Sequence, residues 1–379
     1  MRRAAGGLAP LAVASGLAVL SGPPAASACG FDGAPPAPTL ADRLFDADAL
    51  ALAVPDPGAP GGWRLEAAPE AVSVSLDPPD PARFLAAGAD GGAGPAPGPG
   101  GAVMFGHDPV DDAWRRLAVL DAGGRAAASR LLAAARDWDG PEDPARFVLA
   151  AEMAGEADPA ARALGLAELG RAPCEALADL PATLSAPELV ALLSGTGGAV
   201  APAESAPSLA LLLGLTGTPE ARAEIGRRLD LAAAGRADAS PDPMTGAWVA
   251  ALIALDGPAG AEAAAARFLA DDAEVRPAPS LAPVVEALAE AAATGDAATR
   301  AAVLDVMTAA LGRRPDLVGP VARSFGARWD WAMQGPAQAA LARRAGVAAA
   351  DALVAAGYLF AARQARSGEP AAGAAWAPD

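Results

Sequence analysis

The stretch Asp158-Pro159-Ala160-Ala161-Arg162 is followed by the apolar residues Ala163, Leu164, Ala167 and Leu169. An Asp just before a helix is favourable because its carboxylate accepts hydrogen bonds from the first free backbone N–H groups. Proline fits the first helical position, since the N–H that it lacks would have no partner there. The stretch therefore predicts a helix that begins at residue 159.

Related stretches recur further along the chain. They are Thr218-Pro219-Glu220-Ala221-Arg222 and Asp296-Ala297-Ala298-Thr299-Arg300, and Pro320 to Arg323 keeps the spacing from Pro to Arg. The matching arginines lie 60 and 78 residues apart (162 to 222, and 222 to 300). This spacing indicates a repeated helix start without one regular period.

Helical signals continue from residue 123 to residue 366. Ser185-Ala186-Pro187-Glu188 predicts a capping box, in which the Glu side chain accepts a hydrogen bond from the backbone of Ser185. Apolar residues recur every three or four positions, a spacing that places them on one side of a helix. One such stripe is Ala221, Ile225, Leu229 and Ala232, and another is Ala349, Leu353, Ala356 and Phe360. We expect each stripe to be buried against a neighbouring helix.

This pattern of cap, Pro, small residues and Arg resembles the second helix of HEAT-type repeats, over about residues 140–366. The resemblance implies a helical-repeat solenoid in which the Asp and Arg positions link neighbouring repeats. Those positions are Asp158, Arg162, Arg222, Asp296 and Arg300, with Thr218 in place of the acid before Arg222. An irregular helical bundle with ordinary capping residues is the alternative.

Residues 29–122 have a different pattern. Leu50–Val54, Val72–Leu76, Ala102–Phe105 and Trp114–Leu120 are short apolar runs between clusters of Pro, Gly and Asp, which is typical of strands. Thr39 predicts the start of a short helix, and the Gly- and Pro-rich residues 91–101 predict a flexible loop. We therefore expect a small β-rich domain before the helical domain at 123–366.

The first 28 residues have the features of a cleavable signal peptide. Arg2 and Arg3 precede an apolar run at 8–20, which is too short to cross a bilayer, and Ala26-Ser27-Ala28 matches a cleavage site. The sequence thus predicts export to the periplasm or the extracellular space.

Residues 367–379 are rich in Pro and Ala and predict a disordered tail.

The chain has two cysteines, Cys29 and Cys174. Cys29 follows the predicted cleavage site, and the preceding residues also resemble a bacterial lipobox, so Cys29 could carry lipid and anchor the protein to a membrane. In an oxidising compartment it could instead form a disulfide with Cys174. Cys174 could also be a small buried core residue.

Charge and composition exclude several function classes. The chain has 28 Lys+Arg against 45 Asp+Glu, a formal net charge of -17, and all of its basic residues are Arg. Binding to nucleic acid depends on cationic side chains that neutralise phosphates, so nucleic acid is not an expected partner. The same charge disfavours an anionic membrane surface. One His and two Cys leave few ligands for a transition-metal site.

His107 is the only imidazole, in Gly106-His107-Asp108-Pro109, with Asp111 and Asp112 nearby. These residue types could form an acid–base or metal site, so an exported hydrolase or metal-dependent enzyme is the alternative hypothesis. The simpler interpretation is a polar turn.

Trp329 and Trp331, two positions apart on an expected helix, would point in different directions, and an exposed ring would mark a partner contact.

The sequence as a whole favours a non-enzymatic exported scaffold or protein-binding module of the bacterial envelope, with no cofactor. Its expected fold class is mainly α, a HEAT-like helical repeat preceded by a small β-rich domain. The expected partner is a protein or peptide of the cell envelope.

Overall fold

The computed structural model describes residues 37–56, 58–59, 63–66, 97–180, 183–196, 201–234, 244–270, 276–343 and 346–367. Several predictions lie outside these residues. They concern the signal peptide 1–28, Cys29, the strand Val72–Leu76, the loop residues 91–96 and the tail from residue 368 onwards.

A small sheet lies near the N-terminus. Its strands are β1 (Ala49–Pro55), β2 (Trp63–Glu66), β3 (Ala102–Asp108) and β4 (Ala113–Leu120). All neighbours are antiparallel, and the order across the four-stranded sheet is β2-β1-β3-β4. The strand predictions within the described residues are therefore confirmed.

A short helix, α1 (Leu40–Phe45), precedes the sheet. Thr39 is its N-cap, as predicted, and forms a reciprocal capping box with Asp42. Leu40 and Leu44 are buried in a cluster that also contains Leu50 of β1 and Leu131 of the first long helix. The sheet and the start of the helical region therefore share one hydrophobic core, which crosses the predicted boundary between residues 122 and 123.

Helices make up most of the described chain after the sheet. Their bounds, in order, are α2 (Ala122–Ala135), α3 (Pro144–Ala154), α4 (Pro159–Leu169), α5 (Cys174–Ala178), α6 (Ala186–Ser194), α7 (Ala206–Leu215), α8 (Pro219–Ala234), α9 (Thr245–Asp256), α10 (Pro258–Phe268), α11 (Ala282–Thr294), α12 (Ala297–Arg313), α13 (Val318–Ala327), α14 (Gln334–Arg343) and α15 (Ala349–Ser367). The structure is thus mainly helical with a small antiparallel sheet near the N-terminus.

Local capping chemistry explains why these helices begin where they do. The carboxylate of Asp158 accepts hydrogen bonds from the N–H groups of Ala160 and Ala161, both at 2.9 Å. The capping box of Ser185 and Glu188 is present, with the Ser185 N–H donating to Oε2 of Glu188 at 2.8 Å. The predicted helix starts at these positions are confirmed.

The helices pack in an alternating pattern. From α7 onwards each odd-numbered helix contacts the next odd-numbered one, which gives the row α7, α9, α11, α13 and α15. Among the even-numbered helices, α6 contacts α8, and α10, α12 and α14 contact one another in sequence. A single hydrophobic cluster extends along this array from Phe147 to Leu359.

The stripe Ala349, Leu353, Ala356 and Phe360 was expected to be buried, and the structure shows that this prediction was wrong. All four residues are exposed, and Leu353 keeps 75% of its surface. The buried side of α15 consists instead of Ala355, Tyr358, Leu359 and Ala362. The sequence pattern contains both stripes, and contact with α13 and α14 decides which of them is covered. By contrast, Ala221, Ile225 and Leu229 of α8 are buried as predicted.

Helices α3 and α4 approach each other closely at a glycine. An added Cβ at Gly165 would lie 2.5 Å from the carbonyl oxygen of Ala150 and 2.5 Å from the amide nitrogen of Ala154. Both of these atoms belong to the backbone of α3 and cannot rotate away. Gly165 is therefore required by the distance between the two helix axes.

We expect Gly165→Ala to lower the free energy of unfolding by about 1–3 kcal/mol, because the new methyl group forces the two helices apart. Gly226 of α8 is the matched control, since no atom lies within 4 Å of the position of its added Cβ. Gly226→Ala should stabilise the protein by about 0.5–1 kcal/mol through its higher helix propensity. Urea denaturation followed by circular dichroism measures both. An equal gain in the two variants would contradict the close contact of α3 and α4.

Candidate functional site

A buried group of charged residues joins α1 to α3 and α4. The guanidinium of Arg146 is 1% exposed and donates from Nη2 to Oε2 of Glu168 at 2.5 Å and from Nε to the same oxygen at 3.0 Å. Glu168 has no exposed surface and also accepts hydrogen bonds from Oγ1 of Thr39 at 2.8 Å and from the Ala41 N–H at 3.1 Å. The N-terminal cap of α1 is thus held directly by side chains of the helical region.

Asp42 completes this group. Its carboxylate lies 2.9 Å from Nη2 of Arg146 and 2.8 Å from Nε of Arg171. Burial by itself would raise the pKa of the Asp42 carboxyl, but the hydrogen bond from the Thr39 N–H and the charges of Arg146 and Arg171 hold that pKa below its ordinary value of 3.8. Asp42 therefore stabilises the fold above about pH 4, and this contribution is lost as the pH falls through the lowered pKa.

The sequence analysis missed Arg146 and Glu168. Each interrupts an apolar run, Arg146 just before Phe147 and Glu168 between Ala167 and Leu169. A charge within a stripe that must be buried indicates a buried pair, because an isolated charge in the core is strongly unfavourable. That signal was present in the sequence, but it does not identify the partner.

We expect Glu168→Gln to lower the free energy of unfolding by about 3 kcal/mol, because it removes the principal counter-charge of the buried guanidinium. Glu156→Gln is the matched control: Glu156 pairs with Arg130, and their side chains are 34% and 45% exposed. Such an exposed pair contributes about 0–1 kcal/mol. Equilibrium denaturation at pH 7 measures both, and a loss at Glu168 no larger than the loss at Glu156 would contradict this assignment.

His107 lies on β3 with a nearly buried ring, 3% exposed. Its Nδ1 is 2.7 Å from Oδ1 of Asp48 and its Nε2 is 3.2 Å from Oδ1 of Asp112. The ring also lies beside the cross-strand neighbour Trp114, with ring centroids 5.4 Å apart. The ring therefore fastens the turn between β3 and β4 to the residue before β1.

The three acids that lie near His107 in the sequence have different partners in the structure. Asp112 is brought to the ring, at a left-handed backbone conformation with φ of 50°. Asp108 and Asp111 instead pair with Arg115. Hydrogen bonding from the Val110 N–H lowers the pKa of the Asp108 carboxyl, against an opposing effect of desolvation. Asp48, which the sequence analysis did not select, is the closest partner of His107.

A cleft of about 300 Å³ lies beside His107 and Asp108, and Arg43, Arg115 and Arg116 contribute to its walls. Arg43 donates to the carbonyl oxygen of Leu117 at 2.5 Å, and Arg115 is paired with acids. Both nitrogens of His107 lie within hydrogen-bond distance of a carboxylate, and these contacts hold the ring in place in the hairpin. In the described part of the chain, no group of three or more His, Cys, Asp and Glu residues is placed to hold a metal ion.

The arginines of the repeated stretches reach forward along the chain. Arg222 on α8 forms a two-pronged ion pair with Asp256 at the end of α9, with N–O distances of 2.6 and 2.5 Å. Arg300 on α12 lies 2.8 Å from Oδ2 of Asp330, in the turn before α14. Each of these arginines thus links its own helix to the next helical pair.

The acids of the same stretches act locally. Asp296 accepts from the Thr299 N–H at 2.7 Å and caps α12, as Asp158 caps α4. Thr218 takes the equivalent role for α8, accepting from the Ala221 N–H at 3.2 Å. Arg162 lies in a second cleft of about 150 Å³ together with Glu188 of α6.

Cys174 is the first residue of α5 and is disulfide-bonded. Cys29 is the other cysteine of the sequence and lies outside the described residues. The pairing of Cys29 with Cys174 stays a prediction, as does lipid at Cys29. The two exclude each other, because each requires the single Sγ of Cys29.

Trp329 and Trp331 do not lie on a helix, so the expected helical placement was wrong. They lie in the turn between α13 and α14, because Trp329 adopts a left-handed conformation with φ of 52° that ends the helix. Their ring centroids are 5.9 Å apart, edge to face. Trp331 also packs on Tyr358 at 5.3 Å, and burial raises the pKa of the Tyr358 hydroxyl. Trp329 remains 50% exposed.

Comparison of this chain with known proteins identifies no relative. No family model, no curated protein and no solved structure matches this chain. Of the helices that the structure describes, none combines the length and the apolar character needed to cross a membrane.

Proposed function

We propose that this protein is a non-enzymatic, exported protein-binding module whose helices form a HEAT-like repeat. The alternating contacts of the helices support the repeat most directly. A helix that contacts both the next helix and the next but one belongs to an array in which each unit is stabilised by its neighbours. Such arrays present extended surfaces to partner proteins.

The ion pairs between units support the same proposal. Arg222–Asp256 and Arg300–Asp330 run in the same direction along the chain and start from equivalent positions of the repeated stretch. In addition, Arg343 of α14 donates to the carbonyl oxygens of Leu311 and Gly312 at the end of α12, at 3.0 and 2.6 Å. These contacts set the offset between units, which apolar packing alone leaves less well defined.

Export is supported by the predicted signal peptide and by the disulfide at Cys174. Disulfides persist in oxidising compartments such as the bacterial periplasm and are rare in the cytosol. The net charge of -17 keeps the protein soluble and favours a partner with a basic surface.

We expect the chain to be processed on expression in a bacterial host. The purified protein should begin at Cys29, with a mass 2 Da below that of the reduced chain if one disulfide forms. Ala28→Arg is the control, because a large charged residue directly before the cleavage point blocks processing. Intact mass spectrometry of the periplasmic and cytoplasmic fractions measures both proteins. Unprocessed wild-type protein confined to the cytoplasm would contradict export.

We expect a photoreactive residue at Trp329 to crosslink a second protein of the cell envelope in living cells, because this exposed ring lies on the helical array. Val110 serves as the control, since it is 89% exposed but belongs to the β3–β4 turn. The expected result is one discrete heteromeric band at Trp329 and none at Val110. Identical band patterns at the two positions, or no band at either, would contradict a binding role for the array.

A further inference from the structure

Helix α15 carries an exposed apolar stripe along much of its length. Ala349, Leu353, Ala356 and Phe360 are all exposed, and at 100° per residue they lie within an arc of about 60°. Leu353 and Phe360 keep 75% and 51% of their surface. Arg363 is the next residue on this side and ends the stripe.

The position of α15 in the array explains the exposure. The opposite side of α15 packs on α13, and Tyr358 there donates from its hydroxyl to the carbonyl oxygen of Asp330 at 2.8 Å. Each earlier odd-numbered helix from α7 is in contact with the following one. In the described part of the chain no helix follows α15, so its stripe lies where the next helix of the row would pack.

The order of side-chain sizes along the stripe is self-complementary. It reads small, large, small, large from Ala349 to Phe360, and the same stripe read backwards is large, small, large, small. If two copies meet in antiparallel orientation, Leu353 of each faces Ala356 of the other and Ala349 of each faces Phe360. Alternation of large and small residues across facing positions is what allows two helices to interlock.

The charge of the stripe also permits contact between two copies. Although the whole chain has a net charge of -17, Asp351 is the only acid between Ala349 and Phe360. Its carboxylate is directed towards Arg323 of α13, at 3.6 Å, and is 22% exposed. Two copies can therefore meet at this stripe without placing exposed acids opposite each other.

We propose that α15 is a self-association surface, on which a second copy of this chain packs its own α15 in antiparallel orientation about a two-fold axis. A two-fold axis uses the same stripe on both subunits, as the self-complementary order requires. Two large and two small side chains per copy cover less than the roughly 800 Å² per partner of a standard stable interface. The dimer is therefore weak, reversible and dependent on concentration. This proposal does not rest on the proposed function.

The test is sedimentation equilibrium of the purified full chain over a wide concentration series. The wild type should pass from monomer to dimer as its concentration rises. Leu353→Asp should weaken the association about tenfold or more, because it places a charge in the centre of the contact. Leu231→Asp is the matched control, since Leu231 is a 59% exposed leucine on α8, and it should leave the association unchanged.

A size swap tests the antiparallel geometry itself. Ala356→Leu should weaken the dimer although it adds apolar surface, because it places two leucines opposite each other. The double variant Leu353→Ala with Ala356→Leu should restore the dimer, because it exchanges the large and small partners. Circular dichroism of every variant checks that the helices are retained, which is expected because both positions are exposed.

Three results would overturn the proposal. They are a wild type that stays monomeric at every concentration, a dimer that Leu353→Asp leaves intact, and an Ala356→Leu variant that associates more tightly. If the wild type stays monomeric and removal of residues 368–379 then allows dimers, the C-terminal segment is identified as the occupant of the stripe. The third would indicate non-specific hydrophobic contact or a parallel arrangement.

Discussion

The ion pair between Arg146 and Glu168 is the interaction on which the arrangement of the N-terminal part depends. Both side chains are buried, and burial of a charge is tolerated only when its partners are in place. The groups of this hydrogen-bonded network come from three separate segments: α1 with its cap Thr39, helix α3 and helix α4. Apolar surfaces would allow these segments to slide against one another, whereas hydrogen bonds to a guanidinium require one position. The pair therefore sets where α1, and the sheet that packs with it, meets the helices.

Arginine has several structural roles in this chain, which contains no lysine. Arg146 is buried in the network of α1, Arg222 joins α8 to Asp256 at the end of α9, and Arg343 donates to carbonyl groups at the end of α12. The planar guanidinium suits all three, because its five donors have fixed directions and remain charged at any physiological pH. These links between helices are accordingly directional, and they complement a core built largely from alanine and leucine, whose apolar contacts define the offset of neighbouring helices less well.

Features that depend on neighbouring residues were predictable from the sequence, and features that depend on distant ones were not. The caps at Thr39, Asp158 and Ser185 were found because a helix start is decided within four residues. The nearest partner of His107, Asp48, and the partner of Arg146, Glu168, were not found, since they lie 59 and 22 residues away. The two stripes of α15 show the same limit: both are apolar, and the positions of α13 and α14 determine which one is covered. The tryptophans at 329 and 331 were placed on a helix because a left-handed residue that is not glycine gives no signal in the sequence.

By itself the sequence determined three of the four described strands, several helix starts and the arginines that recur there. These follow from hydrogen bonding and periodicity within single segments. The tertiary structure alone decided which carboxylates surround Arg146 and His107, that Arg222 and Arg300 reach forward to Asp256 and Asp330, and that the last described helix leaves an apolar stripe exposed. Those outcomes depend on the distances between segments, and a linear pattern contains no information on how far apart two segments come to lie.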